Sequence, residues 1–292
     1  MRWGITLSAM PSSTTTVAAR DGTPLLVRSW PPTGAPWLHV LIVHGLEDHS
    51  GRFRRVGDQY ASNGIAAHSF DQRWSGGSGG RRGDIDSWDQ VLDDIEDRLV
   101  AIGGGAGDAP VAVHAHSLGG LMATDYLFTE RARPDLAVLT APGLDDDLAR
   151  WKHAIAPILG RLLPTFAIPN GIDPEWLASD RSDDSLYGPD PLKVPSTTAR
   201  MGALSFAAQA LATAAVSSAD RMPIPTLVLH GGADRLVPTA VSEPFGRLAG
   251  LRRVVYPGLR HEIHNEPEGP AVIADIVGWL RDQVRGIAPS SM

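Results

Sequence analysis

Short apolar runs alternate along this chain with segments of helical periodicity, and this alternation constrains the fold more than any other feature. The runs include WLHVLIVHG from Trp37, VAVHAHS from Val111 and PTLVLHG from Pro225. Strands that are apolar on both faces and separated by helices are typical of parallel sheets covered on both sides. The sequence therefore predicts an α/β fold with a mostly parallel central sheet, helices on both faces and an antiparallel opening hairpin that turns at Asp21-Gly22.

The alternation stops between Gly143 and Met222, where the chain is rich in Ala, Leu, Asp and Pro and lacks a strand-like run. This break predicts a helical cap inserted between two late strands. The predicted domains are a core of residues 1–142 and 223–292 and a cap of residues 143–222. In the cap, WKHAIAPILGRLL places apolar residues on one side of a helix that Pro157 must kink. That side either packs on its own domain or touches substrate or lipid.

The run VAVHAHS leads into Ser117, which opens a predicted helix. A serine at a sharp strand-to-helix turn exposes its hydroxyl as a nucleophile, and the residues two before and two after it must then be small. Ala115 and Gly119 satisfy this requirement, although Ala115 stands where G-x-S-x-G has its first glycine. The alternative is a buried strand that ends in a serine N-cap. The pattern favours a nucleophile.

A serine nucleophile needs a base, and the base needs an acid that orients it. His261 follows RRVVYPG on a predicted loop, with His264 as the local competitor. Loops at the carboxyl ends of parallel strands are where α/β enzymes present working groups. Asp234, in LHGGADRLVP, is the predicted acid because the chain order Ser, acid, His fits this architecture. Its rivals follow the run LAVLTAP: Asp145, Asp146 and Asp147.

Two backbone N–H groups are predicted to bind the oxyanion of an acyl-transfer intermediate. The N–H of Leu118 is free because a helix begins directly behind Ser117. The N–H of Leu46, after the strand end His44-Gly45, can point into the same site. Only backbone is needed, so a leucine side chain is no objection.

Composition excludes several classes of protein. The net charge of −7 argues against a nucleic-acid surface, and the run Arg52, Arg54, Arg55 is interpreted as a solvated helix face. The absence of cysteine excludes disulfides, cysteine nucleophiles and thiolate metal sites. We find no convincing signal peptide and no window of ~18 uninterrupted apolar residues. We therefore expect a cytoplasmic protein whose membrane contact, if any, is peripheral and made by the cap.

Several motifs together resemble the α/β-hydrolases of the monoacylglycerol lipase and lysophospholipase-like group, which is sometimes placed with the serine aminopeptidases. HGLEDHSGRF resembles that group's HG-x-G-E-H-S-x-R-Y, and DQRWSGGSGG resembles its D-x-R-G-H-G-x-S-x-G. The resemblance implies an α/β-hydrolase fold, no metal or organic cofactor, Ser117 as nucleophile, Asp234 as acid, His261 as base, and Leu46 and Leu118 as oxyanion donors. The chain departs from the group at Glu47-Asp48, where Gly-Glu is usual, and at Trp74-Ser75, where Gly-His is usual.

The expected reaction is therefore transfer of an acyl group from an ester to water. The resemblance implies a monoacylglycerol as the lipid ester substrate, and the apolar cap is suited to an acyl chain. A general carboxylesterase, a lysophospholipase and a peptidase that removes an N-terminal residue are the alternative enzymes. A catalytically silent protein that binds a hydrophobic ligand is the alternative outside enzymes. The oligomeric state stays open.

Overall fold

An eight-stranded sheet forms the centre of the structure and decides where the site lies. The computed structural model describes residues 12–145 and 148–287. The sheet strands are β1 (Ser13–Ala18), β2 (Pro24–Trp30), β3 (Leu38–Val43), β4 (Ile65–Phe70), β5 (Val111–His116), β6 (Leu136–Thr140), β9 (Arg221–Gly231) and β10 (Ala249–Tyr256), and β7 (Ala167–Pro169) and β8 (Ser196–Thr198) form a separate pair.

The strand order β1-β2-β4-β3-β5-β6-β9-β10 confirms the predicted α/β-hydrolase architecture. The pairs β1–β2 and β2–β4 are antiparallel, and the remaining neighbours are parallel. The predicted opening hairpin is therefore correct. Because β3, β5, β6, β9 and β10 run in the same direction, the loops that follow them meet at one edge of the sheet.

Helices cover both faces of the sheet. They are α1 (Arg54–Ser62), α2 (Trp88–Gly105), α3 (Leu118–Leu127), α4 (Arg150–Leu162), α5 (Asp184–Tyr187), α6 (Ala199–Ser218) and α7 (Gly269–Ile287). Shorter 3-10 turns cover Ser50–Phe53, Pro174–Trp176 and Thr239–Arg247. The last of these contains Pro244, which cannot donate the backbone hydrogen bond that an α-helix requires.

Two apolar layers hold the helices to the sheet. On one face α1 and α7 contribute Tyr60 and Ile276 to a buried cluster. On the other face α2, α3 and α6 contribute Leu92, Leu121 and Met201 to a second cluster. Burial of each such side chain contributes ~1.5–3 kcal/mol. The sheet is therefore apolar on both faces, as its sequence predicts.

The start of α2 shows how local sequence sets a helix boundary. The Ser87 side chain accepts a hydrogen bond from the backbone N–H of Gln90, and the Gln90 side chain accepts one from the backbone N–H of Ser87. This capping box satisfies two N–H groups that a helix start would otherwise leave free.

The segment between β6 and β9 forms a layer over the carboxyl edge of the sheet. It contains α4, α5 and α6, and also the β7–β8 pair, which the sequence did not predict because these strands are only three residues long. The strand β9 begins at Arg221, two residues before the predicted core boundary at 223. Gly160 of α4 lies against α6, where a Cβ atom would come within 2.8 Å of the Ala203 side chain.

By length and composition alone, α6 is long and apolar enough to cross a membrane. The sequence led us to expect no segment that could cross a membrane, and within the described part of the chain α6 is the one helix that departs from this expectation. In the structure α6 buries Met201, Ala208, Ala212 and Val216 against the rest of the protein. At its start, Arg200 forms an ion pair with Asp84 of the core. These contacts describe a helix that packs on a protein core.

Candidate active site

Ser117 lies at a strained turn between β5 and α3. Its backbone angles are φ 55° and ψ −121°, a region that residues with a side chain rarely adopt. The turn is held by a 3.0 Å hydrogen bond from the Ser117 N–H to the Thr140 carbonyl. Close approach also demands small neighbours: a Cβ atom at Gly45 would lie 2.9 Å from Ser117 Cβ, and one at Gly119 would collide with the Val43 carbonyl. The backbone thus holds the Ser117 hydroxyl at the carboxyl edge of the sheet.

The structure brings Ser117, His261 and Asp234 into one hydrogen-bonded chain. His261 Nε2 lies 2.9 Å from Ser117 Oγ, and His261 Nδ1 lies 2.7 Å from Asp234 Oδ2. The three residues come from the loops that follow β5, β10 and β9, which meet at one edge of the sheet. The arrangement has the geometry of a serine nucleophile, a general base and an orienting acid.

The surroundings of Asp234 keep its carboxylate ionised. Burial alone would raise the pKa of Asp234, but His261, a hydrogen bond with His230 and the backbone N–H of Val237 together hold it well below its ordinary value. Oδ1 accepts the backbone N–H groups of Leu236 and Val237 at 2.8 and 2.9 Å. Oδ2 is therefore left to face His261, and the acid is fixed in both position and charge.

Two of the competing candidates, Asp145 and His264, are described by the structure, and neither pairs with Ser117 or His261 in it. Asp145 is exposed on the loop after β6, and Asp146 and Asp147 lie outside the described residues. His264 is buried between two rings, with centroids 5.0 Å from Phe53 and 4.9 Å from His116. Burial lowers the pKa of His264 to about 4, so its ring is neutral at physiological pH. The geometry therefore selects His261 and Asp234 from the candidates that the sequence left open.

His116 is a neighbour of the base that the sequence treated as a strand residue only. Its ring centroid lies 4.8 Å from that of His261, and its Nδ1 lies 3.0 Å from Thr140 Oγ1. Burial, and then the proximity of His261 and His264, lower the pKa of His116 well below its usual value. A neutral imidazole therefore packs behind the His261 ring and limits its rotation.

The predicted oxyanion donors flank the nucleophile. Leu118 is the first residue of α3, and Leu46 lines the cavity that contains Ser117 and His261. Within the described residues, neither backbone N–H pairs with a protein acceptor. Both donors are thus available to an oxygen atom bound next to Ser117, which keeps the prediction of Leu46 and Leu118 consistent with the geometry.

The cavity at Ser117 is small, about 30 Å³, and its walls differ in character. Apolar side chains come from both the core and the segment above it, and they are Leu46, Leu236, Ile172 and Leu177. The charged wall consists of Glu47, Asp48, Arg52, Lys193 and Glu262. The lining therefore offers both hydrocarbon and charged groups to a bound molecule.

The interpretation of Arg52 as part of a solvated helix face is wrong. Its side chain is buried and forms ion pairs of 2.7 Å with both Asp48 and Glu262, while Arg54 and Arg55 are exposed. Glu262 also accepts a hydrogen bond from the Tyr187 hydroxyl at 2.8 Å. Spacing along the sequence could not reveal this cluster, because its members come from three distant segments.

The cluster shifts the pKa values of its two acids in opposite directions. Burial raises the pKa of Asp48, and the neighbouring Glu262 carboxylate adds to that effect against the attraction of Arg52. Burial also opposes ionisation of Glu262, but Arg52 overcomes it and lowers the Glu262 pKa to about 2. Glu262 directly follows His261 in the chain, so this ion pair anchors the loop that carries the base.

The fold and the Ser117–His261–Asp234 chain define a serine hydrolase of the α/β-hydrolase class. A family model described as "Serine aminopeptidase, S33" matches residues 34–268, and the chain belongs to this family. The protein is a serine ester hydrolase.

Similar proteins agree on the class. The chain is 30% identical over 275 residues to a Monoacylglycerol lipase from Mycolicibacterium smegmatis, covering 90% of this chain and 95% of that protein. It is 27% identical over 277 residues to the Monoglyceride lipase of Homo sapiens, covering 89% of this chain and 88% of that protein. The crystal structure of Paleococcus ferrophilus monoacylglycerol lipase is similar with a TM-score of 0.74 at 26% identity, covering 93% of this chain and 98% of that one.

Proposed function

We propose that this protein hydrolyses monoacylglycerols to fatty acid and glycerol. The hydrogen-bonded chain from Ser117 through His261 to Asp234 carries the proposal, because it provides ester hydrolysis without any further group. The substrate class is supported by the relatives called monoacylglycerol lipases and by a cavity whose lining contains both apolar and charged side chains.

The reaction proceeds in two acyl-transfer steps. His261 Nε2 takes the Ser117 proton as Oγ attacks the ester carbonyl carbon, and Asp234 stabilises the imidazolium that forms. The N–H groups of Leu46 and Leu118 bind the oxyanion. His261 then protonates the glycerol oxygen that leaves, and afterwards it deprotonates the water that releases the fatty acid from Ser117.

The polar wall bears on the choice between ester and peptide substrates. A peptidase that removes N-terminal residues needs a free carboxylate for the substrate ammonium group. Asp48 and Glu262 both bind Arg52, and Glu47, the third acid of this wall, accepts a hydrogen bond from the Asn170 side chain while burial raises its pKa and so disfavours its charged form. Hydroxyl groups are suited to such a satisfied ionic cluster, since they both donate and accept hydrogen bonds.

Substrate panels on the purified protein test the proposal. We expect monoacylglycerols of medium or long chain to exceed p-nitrophenyl acetate, lysophospholipids and aminoacyl amides in kcat/KM. Ser117→Ala should abolish turnover and labelling by a fluorophosphonate, while its circular dichroism spectrum and Tm stay close to those of the wild type. Acetate esters as good as decanoate esters would argue for a general esterase, and turnover by Ser117→Ala would refute the nucleophile.

We further propose that α4 contacts a lipid surface from which substrate is taken. No side chain of α4 is buried, and Trp151, Ile158 and Leu162 are 61%, 58% and 70% exposed. The sequence left open whether the apolar side of this helix packs on its own domain or touches substrate or lipid, and its exposure favours contact with lipid. The helix also carries Arg150, Lys152 and Arg161 and no acidic residue. An apolar side bordered by cations is typical of helices that lie in the membrane interface.

Binding to vesicles tests this surface. We expect sedimentation with vesicles that contain anionic phosphatidylglycerol and a blue shift of tryptophan emission that Trp151→Ala removes. Trp88→Phe is the matched control, because Trp88 lies on the core side of α2 and donates to Asp125. Equal binding by Trp151→Ala and the wild type would refute the role of α4. A cytoplasmic location with peripheral association remains part of this proposal, and cell fractionation tests it.

A further inference from the structure

A second cavity lies between the sheet and the C-terminal half of α2. Its volume is about 250 Å³, near the lower end of the ~300–1,000 Å³ that is usual for ligand pockets. His39, which lines it, pairs in register with Val111 at the start of β5, whereas Ser117 follows the end of β5. At ~3.3 Å per residue the two sites are about 20 Å apart along the strand.

The cavity exists because α2 presents small residues to this part of the sheet. Ala101 and Gly105 line it on the helix side, and they leave the sheet face below them uncovered. Its apolar walls are Val27, Leu41 and Ile102. The space is thus elongated along α2 and largely hydrocarbon in character.

Arg98 gives the cavity an unpaired positive charge. Its Nε is fully buried and has no hydrogen-bond partner among the described residues, whereas the side chain as a whole is half-buried. The acids nearest in sequence are engaged elsewhere, since Asp94 binds Arg73 and Asp97 binds Arg20. A buried donor without a partner costs free energy, and an anion in the cavity would remove that cost.

Two histidines on the sheet provide a second donor on the wall of the same cavity. Ser29 Oγ lies 3.2 Å from His68 Nδ1, and His68 Nε2 lies 3.2 Å from His39 Nδ1. Burial lowers the pKa of His68 to about 4, so this chain is neutral at physiological pH. If Ser29 donates to His68 and His68 donates to His39, then His39 Nε2 carries a hydrogen. A hydrogen-bond acceptor bound in the cavity would favour this tautomer of His39, because its Nε2–H can then donate to the acceptor.

We propose that this cavity binds the carboxylate of a medium-chain fatty acid, with the head group on Arg98 and His39 and the tail along Val27, Leu41 and Ile102. A guanidinium matches a carboxylate with two parallel hydrogen bonds, and a single cation beside neutral rings balances one negative charge. The apolar walls distinguish this ligand from a small inorganic anion. The site stands on its own residues and does not depend on the proposed ester hydrolysis.

Calorimetric titration of sodium octanoate into the Ser117→Ala protein tests the site. We expect Arg98→Gln to weaken one class of octanoate binding by about tenfold or more, since it removes the charge and keeps much of the length. Arg221→Gln is the matched control, because Arg221 is exposed at the start of β9 and its loss changes the net charge equally. Arg98→Gln leaves the site near residue 117 intact. Octanoate binding that survives in this variant is therefore assigned to the site near residue 117, and binding that is lost is assigned to the second cavity.

Three further ligands identify what the site recognises. Octanamide has the same tail without the charge and should bind at least tenfold more weakly than octanoate. Acetate and inorganic phosphate lack the tail and should also bind more weakly. Octanoate binding that is unchanged in Arg98→Gln, or absent altogether, overturns the proposal. Phosphate or acetate binding as tight as octanoate overturns the role of the apolar walls.

Discussion

Glu47 should make the protein less stable than a glycine at the same position would. Its φ is 55°, in the left-handed region that favours glycine, and it lies in the loop that carries the oxyanion donor Leu46. The left-handed conformation costs an L-residue ~1–2 kcal/mol relative to its usual region. The resembling hydrolases have glycine at this position, so this chain departs from them where the backbone favours glycine most.

Comparison of Glu47→Gly with Glu47→Ala isolates that cost. Both variants lose the carboxylate and the hydrogen bond it accepts from the Asn170 side chain, so these losses cancel. We expect Glu47→Gly to be more stable than Glu47→Ala by about 1 kcal/mol, which corresponds to a Tm higher by roughly 2–4 °C. Urea denaturation followed by circular dichroism measures the difference. Equal midpoints for the two variants would show that the loop relaxes and holds no strain.

The charge of Glu47 adds a pH dependence whose sign follows from its surroundings. Burial raises the pKa of Glu47 above its ordinary value of 4.5, against the hydrogen bond from Asn170 and the nearby cations. A raised carboxyl pKa means that the folded state disfavours the ionised form. This destabilisation is fully present above the folded pKa and disappears as the pH falls below the unfolded value. Glu47→Gln should therefore gain stability over the wild type at pH 8, and the gain should vanish near pH 4. A stability gain of Glu47→Gln that is the same at pH 8 and pH 4 would refute the claim that the charge of Glu47 destabilises the folded state.

Three more substitutions test the site and the surface. Asp234→Asn should lower kcat by about 10⁴-fold, because His261 loses the partner that fixes its tautomer. Asp145→Asn should leave kcat unchanged. Steady-state kinetics of the two variants decides between the acids, and the reverse ranking would contradict the assignment of Asp234. Glu262→Gln should lower the free energy of unfolding by about 1.5–3 kcal/mol, because it removes one of the two carboxylates that bind the buried Arg52, while Asp48 still pairs with it. Urea denaturation measures the loss, and a loss below about 0.5 kcal/mol would be that of a surface pair and would contradict a buried one. Leu162→Asp should reduce turnover of substrate in vesicles but not of substrate in solution, with Tm unchanged, and equal loss in both assays would place this face in the cap's core instead.

The fold and the sharp turn at Ser117 could be predicted because each depends on local sequence. Apolar runs define the strands, and the small residues around Ser117 identify the turn. The acid was less certain, since Asp234 and Asp145 both follow strands, and only the distance to His261 separates them. Spacing alone cannot show which strand ends are neighbours.

Other features depend on contacts between distant segments and were not predictable. Arg52 appeared to be one of three surface arginines, yet its partners Asp48 and Glu262 enclose it. The apolar side of α4 was recognised, but periodicity does not say whether such a side faces protein or solvent. The left-handed φ of Glu47 and the unpaired Arg98 also belong to this group, because neither residue type signals its conformation or its partners.

The position of the cap-forming insertion also determines when the chain becomes reactive during synthesis. Ser117 and its turn are complete once β5, α3 and β6 have left the ribosome. The base is 144 positions further along the chain from Ser117, and the acid is 27 positions before the base. Domains with such long-range pairings complete their folding late. A nascent chain that has reached the end of α6 therefore has the nucleophile but neither the acid nor the base, and it stays inert until β9 and β10 join the sheet.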